Sequence, residues 1–237
     1  LFCLVFFHDM CNLYKIFCKE FPPAESNYGK QKKKIQQQML ARVYCASTVG
    51  VDAKIIDVET HHTNGMVKFF LVGLPDRAVS ESRDRVEAAI RNTGSYYPLG
   101  RITVNLAPAD LPKEGNAFDL PIAIGLLRMS GQLHTEKLEV TVMMGELALD
   151  GKIRPIKGVL PIAVEAKKQG FKYLIVPREN GAEAAVVDGI EIFPFDHLNE
   201  VKDWLENRGN LDPYNIDVQH VFSKNGKYMA LDFSDVR

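Results

Sequence analysis

The sequence predicts a mixed α/β domain with a mixed sheet, built partly from hairpins and partly from βαβ crossovers. Two observations carry this. Early in the chain two alternating apolar stretches flank a turn signal, and later strand-length apolar runs alternate with helix-length ones, the pattern of crossover connections. Composition agrees: hydrophobic residues make up 46% and charged residues 25% of 237, the balance of a folded chain. A formal net charge of −1 leaves no overall basic excess for nucleic acid or an anionic membrane, so any such contact must be a local patch.

The elements follow in order. Residues 40–47 and 51–60 alternate through Ala53, Ile55 and Asp57, and 66–73 alternates through Met66, Phe69 and Leu71. Thr63-Asn64-Gly65 between the last two reads as a hairpin turn, so the three stretches are expected to open an antiparallel sheet. Pro75 and Asp76 stop the last of them. Val79, Val86, Ala89 and Ile90 then share one stripe of a helix over 78–92, which Gly94 ends. Pro98-Leu99-Gly100 turns the chain into a strand from Arg101 to Ala107. The loop 106–116, with two prolines and a glycine, leads to an apolar helix over 117–129. Asn116 as its N-cap and Asp119 three residues on match a capping box. Strands are expected at 139–144, 173–176 and 190–193, with helices near 158–169, 179–187 and 197–207.

The ends differ from the middle. Residues 1–38 hold three of the four cysteines, five of the thirteen phenylalanines, and six lysines against three acids. Their longest apolar run, LFCLVFF, is far short of the roughly 20 residues that a bilayer span needs. They lack a secretory signal's basic start and cleavage site. We expect 1–38 to be a disordered extension foreign to the fold, 39–207 to be the domain, and 208–237 to be a connector to a further module. Leu1 in first place suggests a fragment. The remaining residues hold only Cys45, which excludes a disulfide among them and fits a reducing cytoplasm. The spacing of Cys3, Cys11 and Cys18 matches no zinc pattern.

Chemistry-bearing motifs are sparse. The Gly-Lys pairs at 29–30, 151–152 and 226–227 are followed by Gln, Ile and Tyr, so none completes the phosphate cradle G-x-x-x-x-G-K-[ST]. His61 and His62 are adjacent on a strand, which points them to opposite faces and away from a shared metal. Asp110, Glu114 and Glu146 are explained by capping and ion pairing.

Three stretches carry a resemblance: FFLVGLPDRAVSESRDRVEAAIRNTG (69–94), RITVNLAPADLPKEGNAFDLPIAIGLL (101–127) and GELALDGKIRPIKGVLPIAVEAKKQGFKYLIVPRENGAEAAVVDGIEIFP (145–194). They resemble the amino-terminal domain of the magnesium-chelatase-like AAA+ ATPases, the YifB and ComM family, over about residues 39–207. The resemblance implies a Lon-protease-like fold, also that of the second domain of a ribosomal small-subunit protein. It implies an ATPase module following in cis, with DFSDVR as its lead-in, and ATP and magnesium bound there and not in this fragment. A hexameric, cytoplasmic motor acting on branched DNA in recombination and natural transformation is implied for the whole protein.

The likeness to Lon raises a Ser/Lys peptidase as a rival. In Lon-type sequences the serine follows a Pro-Lys-Asp-Gly-like loop; here the loop is Pro112-Lys113-Glu114-Gly115-Asn116 and the serine position falls on Ala117. The lysine position falls at about Ile162. Neither side chain can attack a carbonyl or take a proton. Substitute dyads from Ser80, Ser82 or Ser130 with Lys113 or Lys157 lack supporting spacing, since these serines occupy an exposed helix start or a helix end. No catalytic, cofactor or metal residue is therefore assigned. A third reading, a magnesium-chelatase-like subunit, concerns the ATPase module. For nucleic acid, the candidates are Arg77, Arg83, Arg85 and Arg91, interleaved with Glu81, Asp84 and Glu87 in the manner of an ion-paired face.

Overall fold

The computed structural model describes residues 40–209 and 211–216. The expected extension at 1–38, and the connector beyond 216, lie outside the described residues. Among the described residues nine strands form a seven-stranded mixed sheet and a two-stranded ribbon. β1 (Leu40–Val49) and β2 (Asp52–Thr63) make an antiparallel hairpin, closed by Gly50 and Val51. β3 (Lys68–Val72) leads through two helical segments, α1 (Arg77–Ser80) and α2 (Ser82–Asn92), to β4 (Arg101–Ala107). After α3 (Asp119–Met129) come β5 (Thr141–Met143), the ribbon β6 (Glu146–Leu147) and β7 (Ile153–Arg154), α4 (Val159–Lys168), β8 (Tyr173–Pro177), α5 (Gly181–Ala184), β9 (Glu191–Phe195) and α6 (Leu198–Leu205). The sheet order is β3-β4-β2-β1-β5-β8-β9. Its left part is mainly antiparallel, and β1, β5, β8 and β9 run parallel to one another.

The order corrects one expectation. β2 and β3 do not pair across Thr63-Asn64-Gly65, because β4 lies between them. It offers β2 continuous antiparallel pairing from Asp57↔Ala107 to Thr63↔Arg101, and β3 parallel pairing from Lys68↔Arg101 to Val72↔Asn105. The insertion buries Ile102, Val104 and Leu106. A direct β2–β3 hairpin would strand that apolar row at an edge. The true hairpin is one turn earlier, at Gly50.

Strand parity shows how the layers stack. Ile56, Val58 and Thr60 share one face of β2 with Cys45, Val43 and Ala41 of β1. α3 lies on that face: Thr60 Oγ1 donates to Gly125 O at 2.9 Å. A Cβ on Gly125 would come within 2.7 Å of Thr60 Cγ2, so glycine sets the distance between helix and sheet. Ten of the eleven α3 residues are buried, as expected of a helix apolar all round. α4 covers the opposite face, where Ala53 lines a groove with Leu160, Pro161 and Val164. The stripe expected on α1 and α2 is the buried one, Val79, Val86, Ala89 and Ile90, although the helix is interrupted at Glu81. The helix expected over 179–187 shrinks to α5 and a preceding 3-10 turn, because the Asn180 amide holds the Ile156 N–H and C=O, both at 2.9 Å. Among the described residues no helix is long and apolar enough to cross a membrane.

The turn after β3 is the tightest point of the frame. Gly73 adopts φ +102°, and a Cβ there would lie 2.1 Å from Leu106 O. Gly73→Ala is therefore expected to destabilise the fold by about 3 kcal/mol or more, read as a lower urea midpoint at unchanged slope.

Candidate functional site

The loop between β4 and α3 is held by its own main chain and by a buried cation. Lys113 donates its N–H to Leu74 O at 3.3 Å, and its carbonyl accepts from Asp76 N at 2.9 Å. Ser47 Oγ donates to Pro112 O at 3.1 Å. The Asp76 carboxylate joins two segments, accepting from Val79 N at 2.7 Å as the N-cap of α1 and from Gly115 N at 3.0 Å. The Lys113 side chain is fully buried and its ammonium donates to Pro108 O. Burial pushes this lysine below its ordinary range, against the opposing pull of Asp110.

At the start of α3 sits a second polar cluster. Arg85 of α2 grips Asp119 with two hydrogen bonds, Nε to Oδ2 at 2.7 Å and Nη2 to Oδ1 at 2.9 Å. Asp119 also accepts from Leu147 N at 3.2 Å. Arg85 Nη2 reaches Asn116 Oδ1 at 3.2 Å, and Asn116 Nδ2 donates to Glu146 Oε2 at 3.1 Å. Glu146 in turn pairs with Arg154 at 3.2 Å. The expected capping box is thus corrected. Phe118, not Asn116, stands at the N-cap position, because the Asn116 amide is taken by Arg85 and Glu146 while the Asp119 carboxylate turns to Arg85. Burial raises the Asp119 carboxyl to about 6, with the Arg85 bonds pulling the other way.

Ala117 lies in the turn before α3, half-buried, and its carbonyl accepts from Gly145 N at 2.9 Å. Ile162 is buried in α4. The two helices pack on opposite faces of β1–β2. A methyl and a sec-butyl group stand where the resemblance puts a nucleophile and a base. Of the substitute serines, Ser80 is exposed and donates to Asp76 O, and Ser130 donates to Leu127 O at 3.2 Å. Ser82 corrects the expectation of exposure: it is fully buried and its Oγ has no partner. Lys157 is exposed. The one serine–lysine hydrogen bond among the described residues, Lys202 Nζ to Ser95 Oγ at 2.7 Å, ties α6 to the loop after α2 and went unnoticed in the sequence.

The four arginines divide. Arg77 pairs with Glu81 at 2.9 Å, and Arg91 with Glu87 at 3.0 Å. Arg85 is only 21% exposed and is committed to Asp119, which removes it from a solvent-facing row. Arg83 is exposed and forms no ion pair among the described residues. His61 is exposed, and His62 Nε2 lies 2.7 Å from Leu99 O. Asp110 and Glu114 are exposed. Sequence reasoning missed the β6–β7 ribbon that carries Glu146 and Arg154, although Asp150-Gly151 between them is a hairpin signal.

Comparison with known proteins adds a lineage. The family model described as subunit ChlI of Mg-chelatase matches residues 58–180. The chain is 45% identical to YifB of Escherichia coli (strain K12) over 173 residues, which is 73% of this chain and 34% of that protein. It is 44% identical to competence protein ComM of Haemophilus influenzae over 172 residues, again 73% and 34%. Lon protease 2 of Bacillus subtilis shares 36% over 124 residues, 52% of this chain and 22% of that protein. The chain thus spans about a third of the length of its YifB and ComM relatives.

The Arg85–Asp119 pair generates two expectations. Arg85→Ala leaves a buried carboxyl without its partner and should cost about 3–5 kcal/mol, measured by urea unfolding at pH 7. The folded Asp119 carboxyl, raised to about 6, binds its proton more tightly than an unfolded aspartate near ~3.9. Its contribution to stability is therefore full below about pH 4 and is withdrawn as pH rises through 6, by up to about 3 kcal/mol. Unfolding curves between pH 4 and 7 should show this fall, and Asp119→Asn should flatten it.

Proposed function

The chain belongs to the family of the ChlI subunit of magnesium chelatase, and from that membership we propose that residues 39–207 are a catalytically silent, Lon-like element of an AAA+ ATPase acting on DNA. One observation carries the reading. The polar groups around the start of α3 are committed to one another, Arg85 to Asp119 and Asn116 to Glu146, and the resemblance to Lon assigns the nucleophile and base positions to Ala117 and Ile162. What remains is a frame that can hold a loop in place and cannot cleave a bond.

In this reading ATP and magnesium bind a module outside this chain, to which residues 208–237 connect. The intact protein works in the cytoplasm as a homo-oligomeric ring of six, driving branch migration of DNA in recombination and natural transformation. The Haemophilus relative is a competence protein by name, which supports the DNA part. Where this domain meets DNA, Arg83 is the available cation on the α1–α2 face, with Arg77 and Arg91 supplementing it when their ion pairs with Glu81 and Glu87 open. The rival is a Lon-type ATP-dependent peptidase, which the similarity to Lon protease 2 keeps in view.

Both parts are measurable on this chain. A serine-directed fluorophosphonate should label no residue, and casein should stay intact; labelling at any helix-start serine restores the peptidase reading. Fluorescence anisotropy with a branched DNA should show affinity falling as salt rises, through release of counterions from phosphates. Arg83→Glu should weaken binding and make it less sensitive to salt. Binding indifferent to both removes this surface as the DNA contact.

A further inference from the structure

Two stretches of the chain stand apart by charge. The residues after 38 hold 27 acids and a net charge of −4, yet none of those acids falls between Thr60 and Pro75 or between Ala88 and Ala109. The fold brings the two stretches together at the end of the sheet where β2 finishes and β3 and β4 begin. Lys68 N donates to Gly100 O at 3.1 Å, and His62 Nε2 lies 2.7 Å from Leu99 O. Arg101 is register partner to both Thr63 and Lys68. Lys68 and Arg101 are exposed and form no ion pair among the described residues.

Beside these cations one aromatic ring is displayed and held. Tyr96 is 58% exposed, and three hydrogen bonds fix it. Its N–H donates to Gln132 Oε1 at 2.9 Å, its carbonyl accepts from Gln132 Nε2 at 2.8 Å, and its hydroxyl donates to Ser130 O at 2.8 Å. Lys202 Nζ, bonded to Ser95 Oγ at 2.7 Å, sets a further cation next to it. Met66, Val67 and Leu99 are exposed in the same two stretches. A ring ordered in advance loses little rotamer freedom when a flat partner settles on it. By length of chain Tyr96 lies at most about 18 Å from Arg101, a span of roughly five nucleotides at ~3.4 Å each.

We propose that this surface binds an unpaired stretch of DNA, with Tyr96 stacking on a base and Lys68 and Arg101 taking the phosphates. The inference rests on the DNA-acting reading above and adds which part of a branched substrate the domain holds. A duplex keeps its bases stacked inside and presents chiefly phosphate, for which cations alone suffice. An exposed ring among cations suits bases that have left the stack, because every base has a face to offer it. Neither undescribed end is drawn here by its charge, since residues 1–39 sum to +3 and residues 217–237 to zero. Nucleic acid brings the negative charge that both lack.

The test uses the full 237-residue chain and two labelled probes, a single strand containing a fluorescent aminopurine base and a blunt duplex of the same length. The single strand should bind more tightly than the duplex, quench its aminopurine on binding, and weaken as salt rises. Tyr96→Ala should lower single-strand affinity about five-fold or more and abolish the quenching. Tyr96→Phe should keep both, which separates stacking from the hydrogen bond to Ser130. Lys68→Gln together with Arg101→Gln should flatten the salt dependence, with thermal midpoints showing that each variant is folded. Equal binding of both probes that Tyr96→Ala leaves unchanged and Arg83→Glu abolishes would overturn this inference and leave the DNA reading standing. Binding to neither probe would remove both. Displacement of the single strand by polyglutamate as readily as by unlabelled DNA would make the surface a seat for an acidic protein and overturn the proposal.

Discussion

The buried Arg85–Asp119 pair is the constraint on which the arrangement of the domain turns. It lies at the first turn of α3, the helix around which the core is built, and its guanidinium comes from α2. One carboxylate thereby fixes the angle between two helices and, through Leu147 N, the position of the β6–β7 ribbon. Taking both charges out of water is costly unless nearly every lone pair and proton finds a partner. Here that cost is offset in part by recruiting neighbours: Asn116, Glu146 and Arg154 extend the network outward until it reaches solvent. A polar chain of this kind favours one geometry over its near alternatives, because a partly made network leaves unpaired groups in a poorly solvated place.

Much of this was legible in the sequence, and the failures have physical causes. Periodicity located β1, β2, β4, α2, α3, α4 and β8 well, because each buries one face or all of itself and composition records that burial. Pairing was not legible in the same way. Nothing in residues 64–67 distinguishes a hairpin turn from a longer span that steps over an inserted strand; the information sits in the apolar row Ile102, Val104 and Leu106. Asn116 and Asp119 satisfied a capping pattern whose spacing is local, and a distant arginine outcompeted it. Lys113 read as a loop cation and proved to be a core residue, since burial of a lysine depends on a carbonyl, that of Pro108, which no pattern links to it. At the site, the partition of the four arginines into paired and free required coordinates, because it depends on which acids the fold brings within reach.

The number of contacts that hold the loop between β4 and α3 bears on what the frame is for. Asp76 bridging α1 and Gly115, Ser47 holding Pro112, and Lys113 under Pro108 together hold a segment of a dozen residues at several points. Chemistry at residue 117 is not needed to justify such rigidity. A loop held in one shape is a recognition surface in itself, and the exposed acids Asp110 and Glu114 give it a sign.

The insertion of β4 between β2 and β3 has a consequence for the order of events during synthesis. Arg101 follows Val72 by 29 residues, and among the described residues β3 pairs with no strand but β4. From the moment Lys68–Val72 leaves the ribosome until Ala107 has followed, a strand with Phe70 and Val72 facing solvent waits without its template. At 5–20 residues per second that interval lasts seconds, far longer than the microseconds in which a hairpin forms. The β1–β2 hairpin can close at once, and β3 is instead the segment whose fate is decided by whatever meets it first.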